Sequence, residues 1–286
     1  MAKPNKNSLK KIDLIYEHYE KEGRLTVRRI YYILLGYGLI SQGKSSYVGL
    51  PDRLTEWRED GYIDADIIID RHRQLIISAT YSDFQEAFDE CCESFSLNSM
   101  NHQSQYVEAW IEKDTMTPMF SETCLLYDVP LVVGKGFTSF TFKRDFVKRL
   151  GEQIHRPCRL LYFGDFDAEG NYIPQLVEKF LEGRLPQFDF KLKKVLLTEK
   201  DLPSIRQFAI EDEGLKNEKH REKAYVQEYV EKYGMLKYEV EAIPFDEVKR
   251  RFKEALFSEI DVAVVEQIGE MAEKNKSEWL KKHYRR

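Results

Sequence analysis

The chain has 286 residues, a formal net charge of −5, and a composition of 42% hydrophobic and 33% charged residues. This composition is typical of a globular protein with room for two domains, and the net charge argues against a protein that coats polyanions over its whole surface. No apolar run reaches the roughly 20 residues of a membrane-spanning helix. The basic N-terminus lacks the apolar core of a secretory signal, and the four cysteines have no metal-ligand spacing. We therefore expect a cytoplasmic protein in a reducing compartment, without a membrane partner.

The first third of the sequence predicts three short helices followed by a β-ribbon. Apolar residues at helical spacing place the helices over residues 8–22, 27–35 and 47–60. Two β-rich runs follow, at 64–70 and 75–77. This order of elements is that of a winged helix-turn-helix, in which the third helix enters the major groove of DNA. The basic residues on the elements that would face DNA are Arg53, Arg58, Arg71, His72 and Arg73.

After a connecting helix and loop, the pattern changes to alternating strands and helices. The predicted strands cover 106–111, 129–133, 159–163 and 191–197, and the helices between them cover 115–127, 139–151 and 171–181. Such alternation predicts a parallel sheet with helices on both faces. The fold class is therefore α/β, with one domain over 1–95 and a second over 96–286. The remaining predicted elements are a highly charged helical segment at 211–230, a strand at 238–243 and helical structure over 245–281.

Acidic residues follow two of the predicted strands. Asp165 and Asp167 come after the strand that ends at Phe163, and at i and i+2 of an extended backbone they point to the same side. Glu112 follows the strand 106–111, and the carboxyl ends of parallel strands meet where open α/β sheets bind ligands. Three such carboxylates supply the hard oxygen ligands that Mg²⁺ prefers. The alternative is a solvated acidic turn, since Asp and Gly are common in turns.

A second strand runs into the turn Gly134-Lys135-Gly136. Glycines let the backbone approach a ligand closely, and Lys135 supplies a point charge for a phosphate. The spacing is not that of a Walker A loop. A tight turn with a solvated lysine is the alternative.

The second predicted helix carries a tyrosine pair, Tyr31 and Tyr32, after Thr26 as its N-cap. The two tyrosines lie about 100° apart around a helix, so one can pack while the other points outward. A phenolate is a covalent nucleophile when its proton is removed and a cation stabilises its charge. Arg28 lies at i−4 from Tyr32, on the same face of the helix. The alternative is an aromatic pair that belongs to the core of an amphipathic helix.

Taken together and in this order, the motifs resemble the A subunit of type IIB topoisomerases (topoisomerase VI) and its meiotic double-strand-break relative. Thr26-x-Arg28-x-x-Tyr31-Tyr32 is similar to the tyrosine motif of that family, and Glu112 with Asp165-Phe166-Asp167 is similar to its Toprim acidic residues. Gly134-Lys135-Gly136 resembles the turn between them, and Leu197-Thr198-Glu199-Lys200-Asp201-Leu202 resembles a later segment. The resemblance covers about residues 8 to 260.

The resemblance implies a CAP-like winged helix followed by a Toprim domain, and DNA cleavage by tyrosine transesterification. Tyr32 would be the nucleophile and Arg28 its stabilising cation, while Glu112, Asp165 and Asp167 would hold Mg²⁺, for which Mn²⁺ can substitute. Double-stranded DNA is the implied partner. The implied assembly is a homodimer, in which the tyrosine of one protomer meets the metal site of the other.

The sequence departs from that family in two places. The stretch before the tyrosine pair is short, which leaves open whether an ATPase B-type subunit is a partner. Ala168-Glu169-Gly170 stands where the family commonly has a Pro-containing turn. In these respects the chain is closest to the short stand-alone A-like proteins of phages, plasmids and bacteria. Two alternatives stay open: a metal-only Toprim nuclease that uses water, and a non-catalytic DNA-binding protein that kept the fold.

Overall fold

The computed structural model describes residues 4–69, 78–134, 140–153, 155–185 and 188–284. The strands are β1 (Tyr106–Ile111), β2 (Leu131–Val133), β3 (Cys158–Phe163), β4 (Phe190–Lys194), β5 (Ile210–Glu211) and β6 (Leu236–Lys237). The helices are α1 (Lys6–Glu22), α2 (Val27–Gly36), α3 (Lys44–Val48), α4 (Leu50–Glu59), α5 (Phe84–Ser94), α6 (Thr117–Leu126), α7 (Phe140–Gly151), α8 (Ala168–Glu182), α9 (Leu202–Ile205), α10 (Glu218–Arg221), α11 (Ala224–Tyr233), α12 (Phe245–Phe257) and α13 (Val262–His283). No helix of these segments is long and apolar enough to cross a membrane.

A parallel sheet of four strands, in the order β2-β1-β3-β4, forms the centre of the molecule. Its register pairs Ile111 with Val133 on one side and with Phe163 on the other, so the carboxyl ends of β1, β2 and β3 lie level. Each consecutive pair of these strands is joined through a helix, as a parallel connection requires. The predicted α/β class is confirmed.

Helices cover both faces of this sheet. On one face, Trp110 of β1 packs edge-on against Phe146 of α7, with ring centres 4.8 Å apart. On the other face, Phe163 of β3 packs against Phe120 of α6, also at 4.8 Å. Phe163 pairs with Ile111, the residue after Trp110, and successive residues of a strand point to opposite faces. The predicted layering is therefore confirmed.

Glu108 is a charged residue in the middle of the central strand and is completely buried. Its carboxylate accepts hydrogen bonds from Tyr106 Oη and Trp110 Nε1, both at 2.7 Å, and forms an ion pair with Arg149 of α7. Burying a charge is tolerable only where it is paired and hydrogen-bonded, and here each carboxylate oxygen has partners. Glu108 is thus the charged residue of an otherwise apolar strand, and its ion pair with Arg149 joins α7 to the sheet.

The N-terminal helices pack around fully buried Ile15, Ile30, Leu34 and Leu54. The single helix predicted over 47–60 is in fact two helices, α3 and α4, which meet at Gly49. Of the predicted β-rich run at 64–70, Ala65–Ile67 form a 3₁₀ turn, and Ile68 makes one parallel bridge to Leu25. The second run, 75–77, lies outside the described residues, so the winged helix remains a prediction.

Three predictions for the C-terminal third are wrong in detail. The strand predicted at 238–243 is largely a 3₁₀ turn over Val240–Ala242, because the Val240 N–H donates to Asp165 Oδ1 rather than to a neighbouring strand. The charged segment 211–230 is divided between α10 and α11. The helical structure over 245–281 is interrupted before Asp261, whose side chain caps α13.

Candidate functional site

The turn after β3 contains two glycines, Gly164 and Gly170, at positions where neighbouring atoms leave no space for a side chain. A Cβ on Gly164 would lie 2.2 Å from Tyr162 Oη and 2.7 Å from Glu112 Oε2. A Cβ on Gly170 would lie 2.3 Å from the carbonyl oxygen of Asp165. Side chains at these two positions would clash, so glycine is required for β3 to pass directly into α8 with both aspartates inside the turn.

The three predicted acidic residues come together at this turn. Glu112 Oε2 accepts hydrogen bonds from Tyr162 Oη at 3.0 Å and from the Asp165 N–H at 3.1 Å. Asp167 caps α8 by accepting the Gly170 N–H at 2.7 Å. Burial raises the pKa of Asp165 to about 7 and that of Asp167 to about 6, and the nearby charge of Glu112 acts in the same direction. These carboxylates would therefore be stabilised by a further cation.

Lys113 forms an ion pair with the carboxylate of Asp165. Its Nζ lies 2.8 Å from Asp165 Oδ2, 2.8 Å from Glu241 Oε2 and 3.5 Å from Glu239 Oε2. Burial alone would lower the pKa of Lys113, but the three carboxylates outweigh it and raise that pKa. Lys113 therefore stays charged and partly neutralises an otherwise acidic pocket.

The donor chemistry of Glu112, Asp165 and Asp167 fits Mg²⁺ or Mn²⁺. All three offer hard carboxylate oxygens, and Glu112 Oε1 and Asp167 Oδ2 make no hydrogen bond with the described residues. No three described His, Cys, Asp or Glu side chains are arranged as a ready-made metal site. A cation bound by Asp165 would therefore have to displace Lys113 from this carboxylate or share the carboxylate with it.

Tyr32 lies on α2, which begins at Thr26 through a side-chain cap on the Arg29 N–H. Its ring is 4% exposed, and its hydroxyl donates to Glu239 Oε2 at 2.9 Å. Burial and the negative charge of Glu239 both raise the pKa of Tyr32. In this conformation the hydroxyl is therefore protonated.

Arg28 and Tyr31 complete the tyrosine motif. Arg28 forms a bidentate ion pair with Glu239, the same carboxylate that accepts from Tyr32. Tyr31 packs edge-on against Tyr32 and Tyr47, each with ring centres 5.3 Å apart, and is as buried as Tyr32. Neither tyrosine of the pair points outward, because Tyr32 is held against Glu239 and Tyr31 lies against Tyr47.

A continuous network joins the tyrosine to the acidic turn. It runs from Tyr32 to Glu239, from Glu239 to Lys113, and from Lys113 to Asp165. The Val240 N–H also donates to Asp165 Oδ1 at 2.9 Å. Sequence reasoning missed Glu239, Glu241 and Lys113. The available signal was a pair of glutamates at i and i+2 within the apolar run from Tyr238 to Ile243.

Tyr32 borders a cavity of about 670 Å³ between α2 and the segment from Ala209 to Gly214. Arg28, Tyr47 and Lys237 also line this cavity. The opposite wall carries Glu211, Asp212 and Glu213. Arg28 and the tyrosine rings thus lie on one side of the cavity, and the acidic residues lie on the other.

The predicted DNA-contacting residues are only partly described. Arg53 and Arg58 lie on α4, where Arg53 is exposed and paired with Glu56 at 2.8 Å. Arg58 is half-buried and donates to the Leu54 carbonyl at 3.4 Å. Both side chains are thus at least partly exposed on α4, the helix that was predicted to contact DNA. Four predicted residues lie outside the described residues: Arg71, His72, Arg73 and Lys135.

Comparison with known proteins adds no assignment. No family model matches the sequence, and no curated protein is significantly similar to it.

Proposed function

We propose that the protein is a Mg²⁺-dependent DNA transesterase of the topoisomerase VI A-subunit type. The observation that carries the proposal is the network Tyr32–Glu239–Lys113–Asp165, which links a tyrosine and an arginine on one helix to carboxylates at the end of a parallel sheet. These groups are far apart in sequence. Within one copy the network joins the tyrosine motif to the carboxylates, and in a homodimer the released tyrosine would act with the same carboxylates of a second copy.

In the proposed reaction, Tyr32 Oη attacks a backbone phosphorus of DNA. The new bond joins Oη to phosphorus, the bond from phosphorus to the 3′ oxygen breaks, and the phenol proton ends on the leaving 3′-hydroxyl, directly or through solvent. The products are a 5′-phosphotyrosyl protein–DNA link and a free 3′-hydroxyl, and no net water is consumed. Arg28, one turn before Tyr32, would stabilise the phenolate or the charged phosphate.

Glu112, Asp165 and Asp167 would hold the divalent ion. A bound Mg²⁺ supplies positive charge that offsets the charge developing on the phosphate and on the leaving oxygen. Because Lys113 already contacts Asp165, its side chain would move aside or share that carboxylate when the cation binds.

Tyr32 must also change its surroundings before it reacts. It is buried, and its hydroxyl and Arg28 are both committed to Glu239. A DNA phosphate would compete with Glu239 for Arg28, because a guanidinium binds phosphate and carboxylate with the same bidentate geometry. In the proposed homodimer, the released tyrosine would meet the carboxylates of a second copy.

A metal-dependent nuclease that uses water is the second candidate. The burial of Tyr32 favours it, since such an enzyme requires the carboxylates but no accessible tyrosine. Incubation with supercoiled plasmid and Mg²⁺ or Mn²⁺ separates the two. The transesterase gives protein-linked linear DNA that protease treatment releases from protein, whereas the nuclease gives protein-free ends. Absence of any cleavage, with retained DNA binding, would instead support a non-catalytic DNA-binding protein.

A further inference from the structure

A second cavity, of about 420 Å³, lies on the other side of the acidic turn. Its walls come from α8 and α11, and its floor comes from the residues that follow β3 and β4. The volume falls within the range of about 300–1,000 Å³ that is usual for small-molecule sites. It shares no lining residue with the cavity beside Tyr32.

Five aromatic residues line this cavity: Phe166, Tyr172, Tyr225, Tyr229 and Tyr233. Tyr172 of α8 and Tyr225 of α11 stack in parallel, with ring centres 4.2 Å apart and planes within 4°. Phe166 and Tyr233 form a second group, packed edge-on with ring centres 4.9 Å apart. Such walls favour a flat aromatic ligand, because rings gain from stacked and edge-on contacts beyond their buried area.

Polar side chains of β4 and α8 also line the cavity. Lys194 Nζ donates to the Asp165 carbonyl at 2.7 Å and to Asn171 Oδ1 at 2.6 Å. Burial lowers the pKa of Lys194 to about 8. The Asn171 amide and the Gln175 amide add donors and acceptors on the α8 side. These groups match the edge of a heterocycle that both donates and accepts hydrogen bonds.

The charges around the cavity balance. Lys194 and Lys232 are matched by Glu199 and Glu228, and Glu199 is already paired with Lys232 at 2.5 Å. This balance favours an uncharged ring over a phosphate. Leu197, directly before the lining residue Thr198, has φ of +51°, a conformation that non-glycine residues rarely adopt and that is concentrated at ligand sites.

We propose that this aromatic cavity binds a nucleobase. The base belongs either to a free nucleoside or to an unpaired nucleotide of a DNA strand at the acidic turn, since Lys194 joins the cavity to Asp165. The DNA source rests on the proposed function, whereas binding of a nucleobase as such does not.

The test uses the full chain carrying Tyr32→Phe, so that binding is measured without cleavage. The probes are 2-aminopurine riboside and a single-stranded oligonucleotide whose one 2-aminopurine is flanked by abasic positions, so that the base is unstacked when free, because stacking on aromatic rings quenches the fluorescence of this base. We expect saturable quenching with at least one probe. Gln175→Trp, at an exposed position of α8, would fill the mouth and weaken binding about tenfold or more, the loss of about one stacking contact. Gln227→Trp, exposed on α11 outside this cavity, is the matched control and should bind like the parent protein.

Quenching by the riboside identifies a free nucleoside site, and quenching by the oligonucleotide alone identifies a site for an unpaired DNA base. Either supports the proposal. It is overturned if neither probe is quenched saturably, or if Gln175→Trp and Gln227→Trp bind equally. Because no bond is broken in this assay, its outcome is independent of whether Tyr32 cleaves DNA.

Discussion

Tyr32 donates a 2.9 Å hydrogen bond to Glu239, a residue 207 positions later in the chain that is itself 2% exposed. The same carboxylate holds Arg28 and lies 3.5 Å from the ammonium groups of both Lys113 and Lys237. Glu239 is therefore one of the residues that join α2 to the segment beside the acidic turn, together with Glu241 and Ile243, whose carbonyls accept from Arg29. It also keeps the phenol of Tyr32 protonated.

The first prediction concerns the stability that Glu239 supplies. Glu239→Gln keeps the shape of the side chain but leaves Arg28 without its charged partner. We expect the free energy of unfolding to fall by about 3 kcal/mol, the lower end of what breaking a buried ion pair costs, because Arg28 is partly exposed. Urea denaturation measures this loss. Glu247→Gln, which removes an exposed partner of Arg250, is the control and should change stability little. Equal effects of the two substitutions would refute the anchoring role of Glu239.

The second prediction is a pH dependence at Asp167. Burial raises its pKa from 3.8 to about 6, so between these values the folded state binds more protons than the unfolded state. Stability should therefore fall as pH rises from about 4 to about 6, and then level off. Asp167→Asn keeps an N-cap residue for α8 but removes the carboxyl group whose ionisation lowers stability. The variant should therefore be more stable than wild type at pH 8, by up to about 3 kcal/mol, and of similar stability near pH 4.

Asp201 provides a control, because its pKa is shifted in the opposite direction to that of Asp167. Burial alone would raise its pKa, but Arg251 and the Thr198 N–H outweigh burial and lower it. Its ionised form thus contributes stability above the unfolded pKa, and this contribution is lost as pH falls through the folded pKa. Asp201→Asn should therefore lower stability at pH 8. If Asp167→Asn is also destabilising at pH 8, the account of the acidic turn is wrong.

The third prediction concerns the divalent ion. A ligand that binds only the folded state stabilises it, so Mg²⁺ well above its dissociation constant should raise the melting temperature at pH 8 by about 2 to 4 °C. The double substitution Asp165→Asn with Asp167→Asn should abolish this rise. A rise of the same size in the double variant would place the cation elsewhere.

The fourth prediction concerns α4 as a DNA-contacting helix. If Arg53 and Arg58 each neutralise one phosphate, replacing both by Ala should weaken binding to all duplex sequences. The slope of log affinity against log salt should then decrease by about 2. Fluorescence anisotropy with a labelled duplex at several salt concentrations measures the slope. Arg250→Ala, at an exposed arginine of α12, should leave it unchanged.

Much of the sheet and part of the site follow from local sequence. The strand ending at Phe163 and its turn were predictable because an apolar run, Gly164 and two aspartates at i and i+2 all have local meaning. The convergence of Glu112 with Asp165 was predictable because parallel strands end at one edge.

The role of Glu239 was not predictable in this way. Its neighbours suggest a strand, and only the hydrogen bond from the Val240 N–H to Asp165, 75 positions away, explains why the backbone turns there instead. The burial of Tyr32 beside Glu239, 207 positions away, has the same origin. Helical periodicity distinguishes the faces of α2, but the segments that cover those faces come from distant parts of the chain.

The most direct measurement of the central claim is covalent capture of DNA by Tyr32. Protein is incubated with duplex DNA labelled near the 3′ ends, so that the label stays on the fragment whose new 5′ end is linked to the protein, in the presence of Mg²⁺, quenched with denaturant, and resolved on a denaturing gel. We predict a labelled protein–DNA adduct that forms with wild type and with Tyr31→Phe, disappears with Tyr32→Phe, and is absent when the divalent ion is chelated. An adduct that persists in Tyr32→Phe, or cleavage of equal extent by both variants without any adduct, would contradict the assignment of Tyr32 as the nucleophile.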